Sequence, residues 1–200
     1  PTRYTLSSSS AASYLYKRQV VESGAVVTSS TNTIQGKASE NLIITNSGTI
    51  STNTTRAINL LNAQTATITN NSGGIISSNT GNTINGDETG TTDGNTISNS
   101  GTIFSTDGIA IRFISGTTST NITNNSGGII YNDSTEDVVR LGGSSTLINS
   151  GTIQNKNSPS NDSIDMIDSN NTVTLKNGGK VIGIIRSTGS NNTCLLYTSP

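Results

Sequence analysis

The 200-residue sequence contains no histidine and no tryptophan, and its only cysteine is Cys194. A lone cysteine cannot form a disulfide within the chain, and the absence of histidine excludes Ser/His and Cys/His catalytic pairs. Aromatic residues make up 4% of the sequence and charged residues 12%. No apolar run is long enough to span a bilayer. These absences favour a chain without a cofactor and without catalytic activity.

Both ends of the sequence resemble translated sequencing adapter. Ser9–Gln19 reads SSAASYLYKRQ, whereas a common transposon adapter translates as SSAASDVYKRQ. The segment Cys194–Pro200, CLLYTSP, resembles the translated reverse complement of the same adapter. We therefore expect residues 1–19 and 194–200 to be unstructured, and residues 20–193 to be a β-helix fragment of a longer natural protein.

Removing these ends changes the charge. Without Arg3, Lys17 and Arg18 the sequence keeps 8 basic against 12 acidic residues, so the net charge falls from −1 to −4. A nucleic-acid-binding domain would be basic. We therefore expect no nucleic-acid partner.

A short unit recurs along the whole sequence. Its clearest form is ISNSGTI at Ile97–Ile103, and related forms return every 23 to 29 residues. These are ITNSGTI from Ile44, ITNNSGGII from Ile68 and Ile122, LINSGTI from Leu147 and LKNGGKV from Leu175. Repeats of this length indicate an architecture of stacked coils.

Each repeat shows three runs in which apolar and polar residues alternate, as in half-buried strands. The first strand ends in an asparagine that stacking would place in a ladder: Asn46, Asn70, Asn99, Asn124, Asn149 and Asn177. The second carries an inward aliphatic residue: Ile50, Ile76, Ile103, Ile130, Ile153 and Val181. The third presents Ile58 with Leu60, Ile84, Ile111 with Phe113, Val139 with Leu141, and Ile164 with Met166.

The pattern predicts an all-β fold, a right-handed parallel β-helix (β-solenoid) of about six to seven coils. Parallel pairing of equivalent strands lets each coil bury its apolar residues against the next, and the hand follows the usual sense of parallel crossovers. The asparagines are expected to turn a buried corner, and the glycine after each to supply a positive φ. Ser105 is expected to face outward.

The NSGTI and NNSGGI coils, followed by SIDMIDSNNTVTLKNGGKVIGIIRSTGSNNT at Ser163–Thr193, resemble the passenger regions of Gram-negative autotransporters of type V secretion. Similar coils occur in filamentous-haemagglutinin-like exoproteins. The resemblance covers residues 20–193 and implies a surface or extracellular location. It also implies attachment to the outer membrane through a C-terminal β-barrel that this sequence does not contain.

Two groups of charged residues are candidates for a binding site. Asp162, Asp165 and Asp168 carry oxygen ligands that suit calcium, but in a regular strand Asp165 would point away from Asp162, so a solvated loop is the preferred interpretation. Arg112 and Arg140 hold equivalent places in the third strand. We expect them to belong to a polar outer face, with an anionic ligand as the alternative.

The preferred function is a non-enzymatic surface stalk, whose partners would be a host or matrix surface or further copies of itself. The alternative is a β-helical polysaccharide-processing enzyme, which would need carboxylates gathered in one groove; in the sequence they are scattered. An ice-binding solenoid would need Thr-x-Thr on one face of every coil. Only scattered pairs such as Thr65-Ala66-Thr67 are visible in the sequence.

Overall fold

The computed structural model describes residues 16–36, 41–60, 65–86, 94–114, 116 and 119–197. Over these ranges the chain forms strands joined by turns and has no helix, so none is long and apolar enough to cross a membrane. Short runs of β-branched residues between Gly and Asn favour this outcome, because such residues pack well on a pleated sheet and fit helices less well.

Every coil contributes one strand to each of three sheets. The first sheet comprises β1 (Tyr16–Val21), β4 (Asn41–Asn46), β7 (Thr65–Asn70), β10 (Thr96–Asn99), β13 (Asn121–Asn124), β16 (Thr146–Asn149), β19 (Thr172–Leu175) and β22 (Thr193–Leu196). The second comprises β2 (Val26–Ser29), β5 (Thr49–Thr52), β8 (Ile75–Ser78), β11 (Thr102–Ser105), β14 (Ile129–Asn132), β17 (Thr152–Asn155) and β20 (Lys180–Ile182). The third comprises β3 (Ile34–Gln35), β6 (Ile58–Asn59), β9 (Ile84–Asn85), β12 (Ile111–Arg112), β15 (Val139–Leu141), β18 (Asp162–Met166) and β21 (Ile184–Ser187).

All pairings between these strands are parallel, and each strand pairs with its equivalents in the neighbouring coils. The predicted parallel β-solenoid is therefore confirmed, and the seven strands of the second and third sheets match the six to seven expected coils. The one register shift among these pairings lies between β18 and β21, at Asp162 and Ile164. Equivalent side chains of successive coils consequently stack about 4.8 Å apart.

The core is a narrow column of aliphatic side chains inside the three sheets. All five isoleucines from Ile50 to Ile153 in the predicted ladder are fully buried, and Val181 packs partly buried at its end. The third-strand residues predicted to point inward are buried as well, with Phe113 the largest of them. The apolar surface of a single coil is too small to form a core by itself, so the fold depends on stacking.

The predicted limits of the β-helix are wrong at both ends. Strand β1 begins at Tyr16, so the last four adapter-like residues pair with Asn41–Ile44, and β22 carries the pairing on to Leu196. Parallel pairing joins backbone groups and therefore accepts most side chains at an open sheet edge. Residues 1–15 and 198–200 lie outside the described residues.

Candidate functional site

The asparagine ladder is buried and bonded within the protein, as predicted. The side-chain amide nitrogen of Asn70 donates to Asn99 Oδ1 at 2.8 Å, and that of Asn99 donates to Asn124 Oδ1 at 2.9 Å. Asn46 and Asn149 continue the chain of bonds at either end. Each of these amides also donates to backbone carbonyl groups of the corner. The side-chain amides of the ladder therefore form their hydrogen bonds within the protein.

Asn177 lies outside this ladder, which corrects its predicted place. In the strand register Asn149 faces Leu175, and Asn177 is exposed in the turn that follows. The last corner has the longer form seen in the ITNNSGGII coils, so Leu175 takes the ladder position and Asn177 lies two residues beyond it. At the opposite end Val21 faces Asn46. The five stacked amides thus lie between two apolar residues.

Glycine fills these corners for two different reasons. In the longer corners Gly73 and Gly127 have positive φ angles of 80° and 81°, as predicted. In the shorter corner Gly101 does not, and a Cβ there would lie 2.3 Å from the carbonyl oxygen of Gly74 in the preceding coil. The prediction of positive φ is therefore wrong for the shorter corner. There the close approach of successive coils requires glycine.

A second buried polar ladder closes the strands of the second sheet, and sequence reasoning missed it. It consists of Thr52, Ser78, Ser105, Asn132 and Asn155. Ser105 is fully buried and donates to the carbonyl oxygen of Gly81 at 2.7 Å, so its predicted outward orientation is wrong. The signal was present, because each member follows an inward aliphatic residue by two positions and so shares its face.

Charged side chains gather on the outer face of the third sheet. Arg186 Nη2 lies 2.8 Å from Asp162 Oδ2, 2.9 Å from Asp165 Oδ2 and 3.5 Å from Asp137 Oδ1. Arg140 binds Asp137 Oδ2 through both Nε, at 2.7 Å, and Nη2, at 2.6 Å. We call these five residues the charged cluster. The charged cluster joins three successive coils. Asp137 is far from Asp162 and Asp165 in the sequence, but the three carboxylates lie close together in the structure.

The two best-buried carboxylates of the charged cluster belong to Asp137 and Asp165, whose side chains are 5% and 4% exposed. Burial raises the pKa of Asp165 above its ordinary value, and the charge of Asp137 adds to this, while the hydrogen bond from Arg186 opposes it. Asp165 Oδ1 has no hydrogen-bond partner among the described residues. Asp165 is thus the group in the cluster that burial disfavours as an anion.

The bulge in β18 corrects the predicted geometry of the aspartates. Because the register shifts between Asp162 and Ile164, Asp162 and Asp165 reach the same arginine instead of opposite faces. Neither lies in the solvated loop that was expected. Asp168 lies in the next corner and accepts a hydrogen bond from the Gly116 amide at 3.0 Å. The described residues contain no group of three or more acidic, cysteine or histidine side chains placed to hold a metal ion.

The two arginines predicted for the outer face do lie there, and both are bonded. Arg140 pairs with Arg112 in the strand register. Arg112 donates from Nη1 to Asn85 Oδ1 at 3.0 Å, and Arg140 is held by Asp137. An anionic ligand would have to compete with these contacts.

Two of the three aromatic side chains between residues 20 and 193 meet on the outer face of the second sheet. The rings of Phe104 and Tyr131 stack with centroids 4.8 Å apart and planes 1° from parallel. Lys156 lies on the coil that follows Tyr131, and its Nζ is 3.1 Å from the centroid of the Tyr131 ring. The spacing was readable from the sequence, since each ring follows a ladder isoleucine directly.

Comparison with known proteins adds no further information about this site. No protein-family model, curated protein or solved structure matches the chain.

Proposed function

We propose that this chain is a non-enzymatic β-helical stalk of the autotransporter-passenger type, exposed on a Gram-negative cell surface or secreted. The observation that carries the proposal is that the buried polar groups bond one coil to another. The asparagine ladder bonds five successive coils to one another, and the charged cluster ties three coils together. Groups that could have formed a reactive site instead hold the rod in register.

The proposed partners are a host or matrix surface, or further copies of the chain. A rod of stacked coils presents long, repeated faces, which suit adhesion and lateral association. At a strand spacing of about 4.8 Å, seven coils extend roughly 30 Å. A longer passenger would continue the same faces.

The proposal is tested with the full chain coupled to beads. We expect the beads to adhere to matrix-coated surfaces, or the free chain to self-associate in sedimentation velocity. Asn99→Leu, which alters only the buried ladder, should leave adhesion per folded molecule unchanged. Failure of the wild-type beads to adhere, together with a strictly monomeric chain, would contradict the stalk proposal.

The charged cluster favours one alternative, a polysaccharide-processing enzyme. Two buried carboxylates with different environments are a recurring arrangement in glycoside hydrolysis, where one holds a proton and the other is ionised. The raised pKa of Asp165 fits the proton-holding role. The arginine contacts argue against it, because they occupy Asp137, Asp162 and Asp165. Release of reducing ends from polysaccharides, lost in Asp165→Asn but not in Asp107→Asn on an exposed turn, would establish the enzyme.

A further inference from the structure

The outer face of the first sheet carries two parallel rows of small, mainly hydroxylated side chains. From β4 to β19 these twelve positions hold eight threonines, one serine, one asparagine and two isoleucines. We call this surface the threonine face. One row contains Ile43, Thr67, Thr96, Asn121, Thr146 and Thr172, and the other contains Thr45, Thr69, Ser98, Thr123, Ile148 and Thr174.

The sequence concealed this regularity. The contributing pairs read Thr67-Ile68-Thr69, Thr96-Ile97-Ser98 and Thr172-Val173-Thr174, and they recur at unequal intervals. In the structure these pairs nevertheless line up on neighbouring strands, because the extra residues lie in turns and loops of different length. None of the pairings within the first sheet shows a register shift. Thr-x-Thr is complete on two of the six strands, β7 and β19, and each of the other four carries a threonine at one of the two positions.

The threonine hydroxyl groups of the threonine face are not hydrogen-bonded within the protein, whereas most hydroxyl groups in the core and corners are. Its eight threonine hydroxyls form no hydrogen bond with the described part of the chain. By contrast, Thr52 Oγ1 donates to the carbonyl oxygen of Thr31 at 2.8 Å, and Thr33 Oγ1 to that of Ser51 at 2.7 Å. The fold thus uses these hydroxyls as donors to backbone carbonyl groups, and it leaves those of the threonine face, apart from the buried Thr174, for an external partner.

The threonine face also differs in chemistry from the other two outer faces. It carries no charged and no aromatic side chain between β4 and β19. The second sheet presents the Phe104–Tyr131 stack, and the third presents the charged cluster. Sugar rings are commonly bound by aromatic platforms, and anionic or cationic ligands by charge. An uncharged grid of methyl and hydroxyl groups suits ordered water better than either class.

We propose that the threonine face binds the surface of ice. Neighbouring strands lie about 4.8 Å apart, and alternate residues along a strand about 6.7 Å, so the side chains form a rectangular grid. Oxygen atoms on a prism face of hexagonal ice also lie in a rectangular array. Threonine is stiff at χ1, and the grid is built on paired strands, so little conformational entropy is lost when water is ordered against it.

The test uses the full chain and two matched substitutions in one coil. Thr96→Lys places a charge in the threonine face, whereas Thr102→Lys, six residues later, places the same charge on the outer face of the second sheet. Thermal hysteresis and partition of the protein into a growing ice hemisphere are measured. Thermal unfolding monitored by circular dichroism establishes that each variant is folded.

We expect the wild-type chain and Thr102→Lys to show hysteresis and to enter the ice, and Thr96→Lys to lose most of both. Thr123→Lys, on the neighbouring strand of the same face, should repeat that loss and replaces Thr96→Lys if the latter does not fold. Absence of hysteresis and of ice partition in the wild type would overturn the proposal. So would an equal loss in Thr96→Lys and Thr102→Lys, or binding to crystalline cellulose or chitin without binding to ice.

Discussion

The ring of Phe113 occupies the space that Gly86 leaves in the preceding coil. A Cβ at Gly86 would lie 2.3 Å from Phe113 Cδ1, and Phe113 is fully buried. The two residues directly follow paired strands, β9 and β12, so the large side chain of one coil is matched to the missing side chain of the other. The column is packed by this complementary pair as well as by repeated isoleucine.

Gly86→Ala is expected to lower the free energy of unfolding by about 1–3 kcal/mol, because the added methyl group overpacks the core against the ring. Chemical denaturation measures the change. Phe113→Leu in the same molecule should recover part of the loss, giving a coupling energy in a double-mutant cycle. Gly143→Ala is the control, since a Cβ there would meet nothing closer than 3.6 Å. Equal losses at Gly86 and Gly143 would contradict the packing argument.

Asn99→Leu is expected to cost about 1–3 kcal/mol, because it leaves buried polar atoms of Asn70 and Asn124 without their side-chain partner. Urea denaturation of the purified variant measures the loss. Asn177→Leu provides the matched control, since Asn177 is exposed and lies outside the ladder. A destabilisation at Asn177 as large as that at Asn99 would show that the corrected ladder register is wrong.

Ile103→Asp is expected to destabilise the chain by more than about 4 kcal/mol, because it buries an unpaired carboxylate between Ile76 and Ile130. Thr102→Asp faces outward on the same strand and should change stability by less than about 0.5 kcal/mol. Ser105→Asp should resemble Ile103→Asp, since Ser105 is buried. Thermal melts of the three variants decide whether the second-sheet register is correct.

The raised pKa of Asp165 predicts a pH-dependent cost to stability. Because the folded state binds the proton more tightly than the unfolded state, stability attributable to Asp165 falls as pH rises from the ordinary pKa of 3.8 through the raised value. Below 3.8 both states are protonated and the cost is absent. The stability of the wild type relative to Asp165→Asn should therefore decline over this window as pH increases, in denaturation curves collected at several pH values. A wild-type stability that instead rises with pH relative to Asp165→Asn would mean that the Arg186 contact outweighs burial.

Local pattern determined much of this protein. Alternating Ile, Thr and Asn between Gly-rich corners predicted parallel strands, the aliphatic ladder and five of the six proposed ladder asparagines. These predictions succeeded because side-chain direction in a strand depends only on residue parity, and because equivalent residues of stacked coils must meet. The same parity rule, applied from Ile103, would also have placed Ser105 inside.

Only the tertiary structure decided which distant residues meet on the outer faces. Asp162 and Asp165 join at Arg186 because a bulge in β18 alters the register, and no repeat unit in the sequence marks that bulge. The threonine face appears only after turns of unequal length have been absorbed between strands. Local sequence determines which residues favour a strand, but the exact pairing of coils depends on corner length, bulges and packing summed over the whole stack.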